Sequence, residues 1–230
     1  MDATTILANY LQTYKPIIGR VVDFDAANDK LFTFDFTAEN REISAGLIAD
    51  TGKFTQWVTK KLTDNNCRYG IGGYMEHRTL YARSPHFDTD GEPRRLHLGV
   101  DIWAEAGTPV YSPLGATIHS FNDNDHFGDY GPTIILAHQL NGLELYSLYG
   151  HLSRESLKGI IIGQKISTNQ QIGSLGGIHE NGHWPPHLHY QLMLDMEGCA
   201  GDYPGVGRYS EKDKWLKNIP DPDLLLRFYQ

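Results

Sequence analysis

Four residues at two short spacings carry most of the chemical signal in this chain: His97 and Asp101 in HLGVD, and His187 and His189 in PHLHYQL. Three of the four make a neutral-His, neutral-His, carboxylate set suited to Zn²⁺. A catalytic zinc takes three protein ligands of this kind and keeps a fourth position for water. Positioning them calls for strands, because HLGVDIW and HLHYQLML alternate or carry β-branched and aromatic residues. Side chains on a strand alternate faces, so His187 and His189 share one face. His97, Gly99 and Asp101 share a face in the same way, leaving Leu98, Val100 and Ile102 for a core. Gly99 is then expected to leave a space between two ligands where an ion could sit.

Three segments, in order, carry a likeness to a known family: HLGVDIWAEAGTPVYSPLGATI, LYSLYGHLS and IGSLGGIHENGHWPPHLHYQL. Over roughly Arg95 to Leu194 the chain resembles the lysostaphin-type zinc metallopeptidases, including LytM-like and β-lytic enzymes that cut peptidoglycan cross-bridges. The resemblance implies a β-fold of the duplicated hybrid motif type, with one Zn²⁺ per chain held by His97, Asp101 and His189. It implies that His151 and His187 are catalytic, as general base and transition-state partner in interchangeable order. Metal-bound water would then attack a peptide or peptidoglycan-like amide. A histidine can take that proton at neutral pH, and its protonated counterpart can stabilise an oxyanion. No helical H-E-x-x-H occurs, so the helix-borne zinc mechanism is not indicated.

The remaining histidines, His77, His86, His119, His126, His138, His179 and His183, are read as surface or satisfied core residues. His179 and His183 are the least secure of these, since both lie in the Gly-rich loop beside the site. Tyr149 would share a face with His151 on a regular strand, as a cleft residue or as a core tyrosine.

A net charge of −8 argues against nucleic acid as a partner, and no basic run points to a membrane surface. No stretch approaches the roughly 20 apolar residues of a membrane span. MDATTILANYLQTYKPIIGR lacks a basic start and a continuous apolar run, and the two cysteines, Cys67 and Cys199, read as free thiols. Both point to a cytoplasmic protein.

Along the chain, residues 1–66 read as an α+β extension. It holds a helix of Ile6, Leu7, Tyr10, Leu11 and Tyr14 ended by Pro16. Two strands follow around Ala27-Asn28-Asp29-Lys30, then a helix over Phe54 to Leu62. Residues 67–94 lead into the cleft as one of its walls. In some members of the family such a segment shields the metal, which would make Asn65, Asn66, His77 and His86 the residues to watch. Residues 95–200 read as a zinc peptidase-like β-domain and 201–230 as a packing tail. Strands are expected at Val100–Trp103, Val110–Ser112, Ala116–Phe121, Thr133–Ala137, Glu144–Tyr149, Gln171–Ser174 and Leu188–Leu194. Together they make a mainly β protein, an antiparallel sandwich or barrel-like sheet.

The function expected is therefore that of a zinc-dependent metallopeptidase-like hydrolase. Its rivals are a cytoplasmic zinc amide hydrolase acting on a non-wall substrate, a non-catalytic zinc-binding regulator, and a phosphocarrier that uses a His pair without metal. The last has no need of Asp101 four residues after His97.

Overall fold

The computed structural model describes residues 1–88 and 91–228; residues 89–90 of the segment leading into the cleft and 229–230 of the tail lie outside it. Helix α1 (Ala3–Tyr14) begins where the Asp2 carboxylate accepts from Thr5 N and ends at Lys15, which is left-handed ahead of Pro16. It buries Ala3 and Leu7, and Ala3 N donates to the Leu216 carbonyl, so the helix is docked on the body of the protein.

Only the second of the two strands expected over 21–36 forms, as β1 (Leu31–Phe34). The reason is local. The Asp25 carboxylate accepts from Ala27 N and Asn28 Nδ2, while Asp29 accepts from Asp25 N, giving a closed polar turn in place of a hairpin. Val21 and Val22 are buried without joining a strand. Helices α2 (Ala45–Ala49) and α3 (Thr51–Asp64) follow, capped by the side chains of Ser44 and Asp50.

Strand β2 (Tyr69–Gly72) gives little sequence signal, because two of its four residues are glycine. A Cβ on Gly70 would lie 2.2 Å from the Phe34 ring, so glycine is what lets β1 and its aromatic side chain close on β2. Next come β3 (Leu96–His97), β4 (Val100–Trp103), β5 (Pro109–Tyr111), β6 (Ala116–Asn124), β7 (Gly131–Leu140) and β8 (Leu143–Gly150). After a 3-10 turn at Arg154–Leu157 the chain forms β9 (Lys165–Ile166), β10 (Gln171–Ser174), β11 (His187–Met193) and β12 (Val206–Gly207). Helices α4 (Lys212–Trp215) and α5 (Asp223–Leu226) complete it.

Eight strands form one sheet in the order β1-β2-β4-β11-β8-β7-β6-β9. The protein is mainly β; the sheet is mixed because β1 and β2 run parallel, and among the described residues it stays open because its end strands, β1 and β9, do not pair with each other. Two small ladders, β10 with β5 and β12 with β3, flank it.

An aromatic cluster of Phe34, Phe36 and Phe54 packs on Trp103 at centroid distances of 5.8, 5.4 and 6.1 Å. At about 1.5–3 kcal/mol for each fully buried aromatic, this cluster fixes Trp103 firmly. Cys67 and Cys199 are unpaired. Among the described residues no helix is long and apolar enough to cross a membrane.

Candidate metal centre

Strand β11 lies between β4 and β8, and its register sets the site: His187 is opposite Trp103, and His189 is opposite Asp101. Period-two alternation puts both histidines on one face. His97 arrives from β3. His97 Nε2 and His189 Nδ1 lie 3.0 Å apart, and Asp101 Oδ1 is 3.1 Å from the first and 3.2 Å from the second. All three side chains are buried.

The opposite ring nitrogens are occupied. His97 Nδ1 is 2.8 Å from the Gly73 carbonyl, and His189 Nε2 is 3.0 Å from Gln191 Oε1. With those nitrogens donating, the lone pairs of His97 Nε2 and His189 Nδ1 point at each other and at Asp101. This is how outer partners set the tautomer of metal-ligating histidines. Two neutral imidazoles and a carboxylate converging on one point suit Zn²⁺, and these three residues could hold one metal ion.

Gly99 serves a different purpose from the one expected. A Cβ there would meet Tyr190 O at 2.7 Å and His189 Nε2 at 2.8 Å, so the space beside Gly99 belongs to the His189 ring and not to an ion. Leu98, Val100 and Ile102 are buried as expected, but Leu98 enters a different cluster from the other two.

The second pair of histidines stands beside the first. The His151 and His187 rings are 4.2 Å apart, and His187 lies flat on Trp103 at 4.1 Å. His151 Nδ1 is 2.9 Å from Asn181 O, and His187 Nδ1 is 2.8 Å from Pro185 O. With Nδ1 donating, each ring keeps its Nε2 lone pair.

His151 itself is left-handed, with φ of 62°. It is held there by bonds from His151 N to Tyr130 O and from Gly176 N to His151 O. A non-glycine residue in this region is strained and is kept so by its surroundings. The turn also ends the alternation of β8. Tyr149 therefore points into the core, 5.3 Å from Tyr190, and is a core tyrosine and not a cleft residue.

Burial governs the electrostatics. Desolvation, reinforced by the Arg78 charge, pushes His97 down to about 3. Desolvation pushes His187 down to about 4 against the pull of Asp101. His151 is held well below the usual histidine value by burial and by the neighbouring histidines. Burial opposes ionisation of Asp101, yet His97 and Arg78 outweigh it and hold the carboxyl well below its ordinary range. Since His97 is itself neutral, the guanidinium is the permanent charge behind that shift.

A cavity of about 160 Å³ opens over these groups, lined in part by Arg94, Asp129, Tyr130, Trp184 and Asp202. Of the residues set aside in the sequence, His86 lines this cavity. His183 sits against Phe127 at 5.6 Å, and His138 is a satisfied core histidine 2.7 Å from Ser147 Oγ. His77 bridges to Leu96 and meets Tyr209 edge-on, while Asn65 and Asn66 end α3. From the 67–94 segment, Arg78 bonds to Asp101 and the Gly73 carbonyl to His97. Sequence reasoning missed Arg78, Tyr130 and Gln191. Only Gln191 left a trace, two residues beyond His189 on the same strand face.

The mainly β fold thus presents a His₂Asp cluster that could hold one metal ion, with a histidine pair beside it. Residues 95–199 match the model of Peptidase family M23.

Among curated relatives, the L-Ala--D-Glu endopeptidase of Bacillus subtilis is 34% identical over 125 residues, covering 51% of this chain and 36% of the relative. The DD-carboxypeptidase/endopeptidase Mpg of Neisseria meningitidis is 34% identical over 107 residues, covering 44% of this chain and 21% of the relative. The chain thus spans about a third of the first relative and a fifth of the second. Among solved structures, the catalytic domain of lysostaphin from Staphylococcus simulans is similar with a TM-score of 0.42 and 22% identity, over 70% of this chain and 96% of that one.

Proposed function

We propose that this chain is a zinc-dependent metallopeptidase that hydrolyses an amide bond in a peptide of the peptidoglycan kind. The observation that carries the reading is the convergence of His97 Nε2, His189 Nδ1 and Asp101 Oδ1 within 3.0–3.2 Å of one another, with His151 and His187 alongside. When bound, zinc would supply Lewis acidity toward the scissile carbonyl and toward water.

The chain's own residues do the rest. His151 and His187 are both neutral near pH 7, because burial depresses both. Each has its Nδ1 on a backbone carbonyl, so each offers Nε2 as a proton acceptor. One takes the proton of the attacking water and later delivers it to the leaving amine. The other, close by, faces the oxygen on which negative charge develops, and stabilises it in the state that carries a proton on Nε2. The roles stay interchangeable. Trp103 fixes the plane of the His187 ring, so the pair is aligned before substrate arrives.

The chain divides its labour accordingly. The 95–200 segment supplies the ligands and the histidine pair, residues 67–94 and 202–206 supply part of the cleft wall, and 1–66 and the rest of the tail pack around them. The names of the Bacillus and Neisseria relatives support peptide bonds next to D-amino acids as substrates.

The test is hydrolysis of muropeptide stems carrying L-Ala–D-Glu and D-Ala linkages by zinc-loaded protein, with products read by mass spectrometry. New amines released by wild type and not by a His151 variant support the reading. Equal turnover by both removes it.

A further inference from the structure

We infer that Arg78 is a positioning residue for Asp101: its guanidinium occupies one carboxylate oxygen, so that only the other faces the histidines. This rests on the proposed reading of His97, Asp101 and His189 as metal ligands. Nothing in the 95–199 family match covers Arg78, which lies ahead of it.

The Asp101 carboxylate is divided between two kinds of partner. Oδ2 accepts from Arg78 Nη1 at 2.5 Å, whereas Oδ1 lies 3.1 Å from His97 Nε2 and 3.2 Å from His189 Nδ1. Arg78 is itself held in place, with a side chain only 1% exposed. Its Nε donates to Glu76 Oε2 at 2.6 Å, Nη1 also reaches Tyr81 Oη at 3.3 Å, and the group lies 5.3 Å from the Phe36 ring. A Cβ on Gly72 would lie 2.6 Å from Arg78 Nη2, so β2 carries glycine where the guanidinium passes. The adjacent Gly73 carbonyl is the partner of His97 Nδ1, so one short segment orients two of the three ligands.

Stability alone explains this arrangement poorly. A buried ion pair loses so much hydration that apolar residues of the same volume commonly serve as well or better. Orientation explains it directly. A carboxylate with both oxygens free can chelate a cation, whereas one with an oxygen held by a guanidinium offers a single donor. The three residues then contribute one atom each, which keeps the coordination number low and a position open for substrate or water.

Cobalt(II) reports this, because its visible bands are intense in four-coordinate sites and weak in six-coordinate ones. Metal-free full chain would be titrated with Co²⁺ as wild type, Arg78→Met, Arg78→Lys and Glu76→Gln, each checked for native near-UV circular dichroism. We expect intense bands in wild type. Arg78→Met should bind about 10- to 100-fold more weakly, with bands that lose intensity as Asp101 gains its second oxygen. Arg78→Lys, which keeps the charge and loses the fork, should recover part of both. Glu76→Gln holds the test if Arg78→Met does not fold, and should weaken binding about 10-fold. A folded Arg78→Met, or failing that Glu76→Gln, with wild-type affinity and spectrum overturns the inference while leaving the metal site intact. Wild type that binds no Co²⁺ overturns the ligand assignment itself.

Discussion

Asp101 and His189 stand directly opposite each other across the β4–β11 ladder, with Oδ1 and Nδ1 3.2 Å apart. Strand pairing therefore brings these two proposed ligands together before any loop is considered, and His97 completes the set from β3. Purified wild type should contain about one zinc per chain, and Asp101→Ala and His189→Ala should contain almost none. Elemental analysis decides the matter, and stoichiometric zinc in either variant would remove that residue from the ligand set.

His151 can be tested without disturbing its backbone. Its φ of 62° is one that asparagine tolerates and alanine does not. His151→Asn should keep its zinc and its melting temperature yet lose about 10²- to 10⁴-fold in turnover. Loss of zinc along with activity would show that the residue acts on the metal site and not on the substrate.

Gly99 predicts a steric lesion. The Cβ of alanine would press on Tyr190 O and on the His189 ring at 2.7 and 2.8 Å, and neither backbone nor buried ring can yield freely. Gly99→Ala should lower stability by about 1–3 kcal/mol and weaken zinc binding as His189 is displaced. Chemical denaturation and metal titration of the same sample measure both. Unchanged values would mean the strand relaxes around the methyl group.

Away from the site, His138 predicts acid sensitivity. Burial lowers it to about 4, below the ordinary histidine value of about 6.5. The unfolded chain takes up the proton first, so the contribution to stability is full above pH 6.5 and lost as pH falls toward 4. That loss amounts to roughly 3 kcal/mol, from about 1.4 kcal/mol for each pKa unit. Urea midpoints at pH 7 and pH 4.5 should differ less in His138→Gln than in wild type. An equal difference would place the acid sensitivity elsewhere.

The parts of the fold and site that were legible in the sequence are those encoded by local pattern. Val100–Trp103 and Gln171–Ser174 form the strands expected of them, because alternation and β-branching lie within four residues. His187 and His189 share a face for the same reason. Strand β2 was hidden, since YGIG has no strand signature and is fixed only by the aromatic rings and the guanidinium packed on its glycines. Tyr149 was left open between cleft and core because a period-two argument cannot see the left-handed turn at His151. Arg78 was invisible because its contact with Asp101 spans 23 residues and depends on β2 pairing with β4.

The placement of β11 also bears on how the protein comes apart. It is fourth in a sheet of eight strands, buried along its whole length and bonded on both sides. Amide protons of such a strand exchange only through the largest opening motions, whereas those of outer strands such as β9 are freed by local fraying. His187 and His189 are thus rooted in a strand expected to be among the slowest to exchange. The edges of the sheet can breathe without loosening the two histidines.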